Sequence, residues 1–225
     1  MKEINVAATL ERQLQFIDFG CGSGGSFSFA ASLQPGEGLG IDTSSQMVET
    51  CKAKGISAQV GNLLEFEGRN VAVATFALDL LPELQGRLAF EKALTNLVRA
   101  ARNYSVIQHS YFDADAELAV RGAALASNDH KRIQYKPNIS DYLNFARRNG
   151  KALSLVGLGI FGLGSAAAEP INLESSAVGN DGSEALANTF RSLRVIFGRR
   201  DVGRFRSALQ KAAAGKSLYI WENAA

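Results

Sequence analysis

Short apolar runs alternate along this chain with longer segments whose apolar residues recur every three to four positions, the pattern of strands followed by helices. Runs at 15–19, 38–42, 57–60, 70–76, 104–108, 153–160 and 217–221 predict seven strands. Segments at 27–33, 44–54, 83–102, 114–126, 139–149 and 202–214 predict helices. Ser44 or Ser45 is placed to cap the second of these, and Gly55 follows its basic last turn of Lys52 and Lys54. In the long third helix Leu84, Leu88, Ala93 or Leu94, Leu97 and Val98 share a face. The run at 70–76 is β-branched and apolar enough to lie inside a parallel sheet. Residues 128–137 and 162–182 read as loops, and an insertion as long as the second is usually functional. The alternation predicts an α/β fold with a doubly wound, mostly parallel seven-stranded sheet and helices on both faces. In such a fold ligands bind beyond the carboxyl ends of the strands.

At 225 residues, 46% hydrophobic and 20% charged, the chain is expected to form a single domain, 1–225, with a sizeable core, which excludes a disordered or fibrous class. Lys2, Glu3, Glu11 and Arg12 leave the first residues without the apolar core of a secretory signal. The 17-residue uncharged run at 152–168 is interrupted by Gly157, Gly159, Gly162 and Gly164, so a buried strand and a glycine loop are expected rather than a membrane span. Cys21 and Cys51 are the only cysteines; with two histidines they provide neither a disulfide framework nor metal-ligand spacing. A cytoplasmic setting is the default expectation. The net charge of +2 is uneven: residues 1–70 hold five Lys/Arg against eight Asp/Glu, and residues 191–225 hold eight against two.

The segment carrying most information is Phe16-Ile17-Asp18-Phe19-Gly20-Cys21-Gly22-Ser23-Gly24-Gly25, a strand running into spaced glycines and then a helix. Glycine there permits positive φ and lets the backbone approach a ligand closely. Spaced as Gly20-x-Gly22-x-x-Gly25, with Asp42 about 20 residues on, the loop fits a nicotinamide dinucleotide fingerprint. Spaced as Asp18-x-Gly20-x-Gly22-x-Gly24, it resembles motif I of the class I S-adenosylmethionine-dependent methyltransferases. That likeness continues in order over residues 14–110: Leu39-Gly40-Ile41-Asp42-Thr43-Ser44-Ser45-Gln46-Met47-Val48 resembles the second family segment, Gly61-Asn62-Leu63 the third, and Ala74-Thr75-Phe76-Ala77-Leu78-Asp79-Leu80-Leu81-Pro82 the fourth. Asn103 stands where the family commonly has glycine.

The resemblance implies S-adenosylmethionine as cofactor and a sheet whose last strand, here 217–221, runs antiparallel. It implies that Asp18 faces the methionine amino group, Asp42 takes both ribose hydroxyls, Met47 packs near the adenine and Asn62 meets the adenine amino group. Gly20, Cys21, Gly22, Gly24, Thr43, Leu63 and Ala77 complete the expected cofactor set, within a cofactor-binding half at 1–110. Residues 6–14 are a short segment to cover the cofactor. Residues 111–138 and 161–215 are the expected acceptor-side elaborations.

Methyl transfer from a sulfonium is an in-line displacement, so alignment supplies much of the rate and a base is needed only for poor nucleophiles. Candidates beyond strands four and five are Asp79, His109, Ser110 and Tyr111, with ordinary capping or core roles as the competing readings. Tyr111 and Phe112 would wall an acceptor pocket or pack in the core, and His130 lies in a polar, surface-like run. Leu78-Asp79-Leu80-Leu81-Pro82 lacks the Asn/Asp-Pro-Pro-aromatic run of amino-methylating nucleic-acid enzymes, and no cysteine stands after strand four for pyrimidine carbon chemistry. Arg191, Arg194, Arg199, Arg200, Arg204 and Arg206, interleaved with Val195, Ile196, Phe197 and Phe205, read first as a solvated face. Second, they read as a surface for a phosphorylated or carrier-bound substrate; no recognition motif supports nucleic acid. The function inferred is methylation of a small-molecule hydroxyl, amine or carboxylate. The alternatives are a non-catalytic cofactor- or partner-binding module, a methyltransferase domain of a larger enzyme, and a nicotinamide-dependent oxidoreductase.

Overall fold

The structure, a computed structural model, describes residues 14–113, 123–125, 133–165, 171–173, 190–212 and 215–222. In chain order the elements are β1 (Leu14–Phe19), α1 (Gly25–Leu33), β2 (Gly38–Asp42), α2 (Ser45–Ala53), β3 (Ala58–Val60), β4 (Ala72–Leu78), α3 (Gly86–Ala100), β5 (Ala101–Ser110), β6 (Ala123–Leu125), α4 (Ile139–Asn149), β7 (Leu155–Ser165), β8 (Ile171–Leu173), β9 (Phe190–Arg199), α5 (Val202–Ala212) and β10 (Lys216–Glu222). Eight strands form one sheet in the order β10-β7-β9-β5-β4-β1-β2-β3. The five strands β1 to β5 pair in parallel. β9 and β10 run antiparallel to their neighbours.

The sheet is buried on both faces, which is why β1 and β4 are nearly continuous apolar runs. Ile17, Phe19, Ile107, Val195 and Phe197 meet α3 and α4 through Phe90, Leu94, Leu97, Tyr142 and Phe145. On the other face Phe16, Phe76, Val106 and Ile196 meet Phe205, Ala208 and Leu209 of α5. Glycine makes this second layer fit: a Cβ at Gly157 or Gly198 would come within 2.1 or 2.4 Å of the Phe205 ring. The N-terminus of α2 is capped by Ser44, whose side chain accepts from the Met47 amide, and α4 begins in a reciprocal capping box of Asn138 and Asp141.

The doubly wound α/β architecture agrees with the sequence reading, and two of its details are corrected. The last strand, Lys216–Glu222, runs antiparallel as expected of 217–221, and it lies on the sheet edge; a strand not expected from the sequence, Phe190–Arg199, sits antiparallel between β5 and β7 and makes the sheet eight-stranded. The arginines of 190–199 concealed this strand, because basic residues interrupt its apolar pattern. Arg194 and Arg199 are both buried and work as internal clamps. Arg194 sits over the Phe29 ring and donates to Gln108 Oε1 and the Ala212 carbonyl. Arg199 donates to the carbonyls of Leu153, Arg99 and Ala101 and to Asn70 Oδ1. Burial lowers the Arg199 pKa to about 10. Residues 193–199 of this strand are therefore part of the core.

Second, residues 123–125 are extended and pair antiparallel with 171–173, where the sequence predicts helix over 114–126; the rest of that segment, His130 and residues 6–13 lie outside the described residues. β6 and β8 thus join the two expected elaborations by their backbones. Among the described residues no helix is long and apolar enough to cross a membrane.

Replacing Arg199 by Leu leaves its carbonyl acceptors buried without their donor. Arg199→Leu is expected to lower unfolding free energy by about 2–4 kcal/mol, read by urea denaturation; an unchanged midpoint would show that water substitutes for the guanidinium.

Candidate functional site

The parallel register aligns the carboxyl ends of β1 to β5 on one edge: Phe19 is level with Ile41 and Ala77, Asp42 with Val60, and Leu78 with Gln108. The glycine loop, Asp42, Asn62, Asp79 and Tyr111 each follow or end one of these strands, so the topology brings the expected residues to one edge.

The loop after β1 turns through positive φ at Gly20 (71°), Gly22 (50°) and Gly24 (98°). Gly20 is crowded by Leu80, and a Cβ on Gly24 would come within 2.6 Å of Ile56. At Gly22 a Cβ would meet nothing within 4 Å, so the middle of the loop faces open space. Asp42 fixes the loop: Oδ2 accepts from the Gly22 amide and Oδ1 from the Ser44 amide, both at 2.9 Å. From below, Cys51 donates through Sγ to the Gly22 carbonyl at 3.2 Å, and its sulfur lies 3.9 Å from that of Cys21. Burial pushes the Cys21 thiol pKa well up, so this pair packs as apolar filler beneath the loop.

Asp18 is fully buried. One oxygen accepts from Ser26 Oγ at 2.6 Å, and the other, Oδ1, has no partner. Burial raises its pKa to about 7 against the lowering effect of Ser26, and the Asp42 charge raises it further. Asp18 Oδ1 is thus a buried acceptor that the described residues leave unsatisfied at the start of the glycine loop. Met47 is 37% exposed at the start of α2. Thr43 is exposed, and Asn62 accepts the Leu64 amide at 2.9 Å while buried Leu63 anchors the turn that follows. Ala77 is buried inside β4.

The acceptor side divides the three expected catalytic residues. Asp79 is exposed and holds φ of 57°, a conformation Asp tolerates better than most residues. Neighbouring atoms desolvate its carboxyl and raise its pKa. Tyr111 is half-buried edge-on to Phe190 at 5.6 Å, and desolvation raises its pKa, which suits a wall and not a phenolate base. His109 does not fit the base role expected of it. It is fully buried, its Nε2 lies 2.6 Å from the Tyr142 hydroxyl and its Nδ1 2.7 Å from the Ser110 carbonyl, and its ring stacks between Phe112 and Tyr142. Burial lowers its pKa to about 4, so it stays neutral. The sequence reading assigned no role to Ser26, Leu80, Tyr142 or Phe190; Ser26 directly follows the glycine-rich segment and Leu80 lies in the segment around Asp79, whereas Tyr142 and Phe190 carried no signal. Among the described residues no cluster of metal ligands occurs.

Solved methyltransferases superpose on this fold. A protein of Thermotoga maritima described as a possible histamine N-methyltransferase superposes with a TM-score of 0.56 over 87% of this chain and 89% of its own, at 10% identity. Magnesium protoporphyrin IX methyltransferase of Synechocystis, solved with S-adenosylhomocysteine bound, gives 0.53 over 87% and 78% at 16% identity. A small RNA methyltransferase gives 0.55 over 97% of this chain and 26% of its own, at 15% identity. This chain has the class I methyltransferase fold. No family model and no curated protein matches the sequence, so the likeness is one of fold.

The two buried titrating groups oppose each other in stability. Asp18, raised above its unfolded value, contributes stability that is fully present below about pH 4 and lost as pH rises through about 7. His109, depressed, contributes stability that is present above about pH 6.5 and lost as pH falls through about 4. Asp18→Asn is therefore expected to gain about 2–4 kcal/mol on the parent protein between pH 4 and pH 8, measured by urea unfolding without ligand. A constant difference across that range would mean that Asp18 is ionised in the folded protein throughout.

Proposed function

We propose that this protein transfers a methyl group from S-adenosylmethionine to a small-molecule hydroxyl, amine or carboxylate. The observation that carries the reading is Asp18: a buried carboxyl with one unpartnered oxygen beside a glycine loop that opens at Gly22. An amino acid ammonium would satisfy that oxygen, whereas a dinucleotide phosphate would be repelled by a carboxylate there. The residues present fit the cofactor on the ribose side also. Each Asp42 oxygen accepts one backbone amide and retains capacity for a second donor, as two vicinal hydroxyls require. Asn62 and Leu63 follow β3, where they would meet the adenine edge, and Met47 would cover its face.

Bound there, S-adenosylmethionine supplies an electrophilic methyl on a sulfonium. The protein's part is then to align the acceptor with that methyl and, for a poor nucleophile, to remove a proton. Asp79 is placed for this: it ends the run from β4, is exposed, and has a raised pKa that improves it as a base. Its left-handed backbone projects the side chain from a fixed turn whose amide donates to the Gln108 carbonyl. Tyr111 and Phe190 would wall the acceptor, and His109 with Tyr142 would hold that wall from behind.

The arrangement of the arginines favours a small acceptor over a nucleic acid. Arg194 and Arg199 are buried, and Arg206 is engaged by Glu222 at 2.8 Å, so the arginines of 191–206 do not form a continuous exposed stripe. The solved relatives span both classes, one carrying the name of a porphyrin enzyme and another that of an RNA enzyme.

Incubating the protein with methyl-labelled S-adenosylmethionine and separate small-metabolite and RNA fractions tests the proposal; label is expected in the small-molecule fraction. Asp79→Asn keeps the left-handed turn and removes the base, so turnover is expected to fall by roughly 10²-fold with cofactor affinity unchanged. Equal turnover in the variant would assign Asp79 a purely structural role.

A further inference from the structure

The extra edge strand creates a feature that methyl transfer does not use. α5 packs on one face of β7 and reaches β10 through the Arg206–Glu222 ion pair. On the opposite face α4 reaches only part of the added width, and a trough of about 860 Å³ remains between α4 and β10. That lies within the roughly 300–1,000 Å³ of ordinary small-molecule sites. Five strand spacings separate β10 from β1, about 24 Å at about 4.8 Å each, so the trough is remote from the glycine loop.

We propose that this trough is a second binding site, for a small amphipathic carboxylate with an extended apolar body. Its floor and walls are Leu143, Leu155, Leu158, Tyr219 and Trp221, with the last two on the same face of the edge strand. Its charged lining among the described residues is of one sign: Arg147 and Lys151 stand at the end of α4, and no described Asp or Glu lines the trough. Both cations are exposed. Arg147 gives one of its five donors to Asn144 Oδ1, and the Lys151 ammonium has no hydrogen-bond or ion-pair partner among the described residues. The two cations partly answer the carbonyl end of α4, yet a unit charge each exceeds the half charge of a helix terminus. A net positive rim therefore remains over an apolar trough, complementary to one carboxylate with an alkyl or aryl body. The inference stands apart from the methyl-transfer reading, because it uses neither the glycine loop nor Asp79.

Trp221 is the only tryptophan in the chain, so its fluorescence reports on this site alone. The full chain is titrated with sodium decanoate below its micelle concentration, with decanol as the uncharged control. A saturable change in emission is expected for decanoate. The double variant Arg147→Glu/Lys151→Glu, whose exposed positions leave the fold intact by circular dichroism and melting, is expected to bind decanoate at least tenfold more weakly and decanol unchanged. Absence of a saturable change, or equal decanoate affinity in the two proteins, would overturn the proposal. So would displacement of decanoate by S-adenosylhomocysteine, which would move the ligand to the glycine loop, or a sedimentation result showing the trough closed by a second copy of the chain. A protein that binds decanoate but transfers no methyl group would sink the functional proposal and leave this one standing.

Discussion

The Asp42 carboxylate is the constraint on which the candidate site depends. A loop passing through three left-handed glycines has little to hold it, since those glycines carry no side chains to pack and lose more entropy on ordering than other residues. Asp42 supplies the restraint by accepting the Gly22 amide with one oxygen and the start of α2 with the other. Because β1 and β2 pair in parallel, Asp42 reaches the loop only while Phe19 stays level with Ile41. A shift in register would separate loop and carboxylate, so the geometry of the site is a consequence of the sheet. Where β1 runs into this loop, one oxygen of buried Asp18 is left without a partner.

Legibility in the sequence followed a physical division. Segments whose pattern comes from one dominant force could be read directly: the apolar runs of β1 to β5, the helix of Gly86–Ala100 and the glycine spacing after β1 all survive in the structure. The aspartates at 18 and 42 were singled out by the resemblance of their segments to a known family, and the structure places Asp42 on the glycine loop and Asp18 in the strand that leads into it. What escaped was decided by tertiary partners. Arg194 and Arg199 look like surface residues until the carbonyls of Ala212, Leu153 and Ala101 are placed around them. Without those acceptors a buried arginine is too costly to expect, and Phe190–Arg199 could not be read as a central strand.

His109 makes the same point for the site. Its position at the end of an apolar strand beside candidate acceptor residues suits a base equally well as a buried hydrogen-bonding group. Only Tyr142, thirty-three residues later on α4, distinguishes the two, by occupying Nε2 from inside the core. Asp79 differs because its turn carries it out of the sheet, leaving it exposed where His109 is enclosed. The chemistry of this edge is thus divided between a rigid interior of aromatic rings and a small number of carboxyl groups whose ionisation the interior adjusts.

The central claim, that Asp18, the glycine loop and Asp42 together hold an amino acid nucleoside, is tested most directly by titration calorimetry with S-adenosylhomocysteine near pH 7, in two buffers of different ionisation heat. The account gives micromolar binding, about −8 kcal/mol, with release of a proton as the ligand ammonium lowers the Asp18 pKa from about 7. Heat with nicotinamide adenine dinucleotide and none with S-adenosylhomocysteine would contradict it.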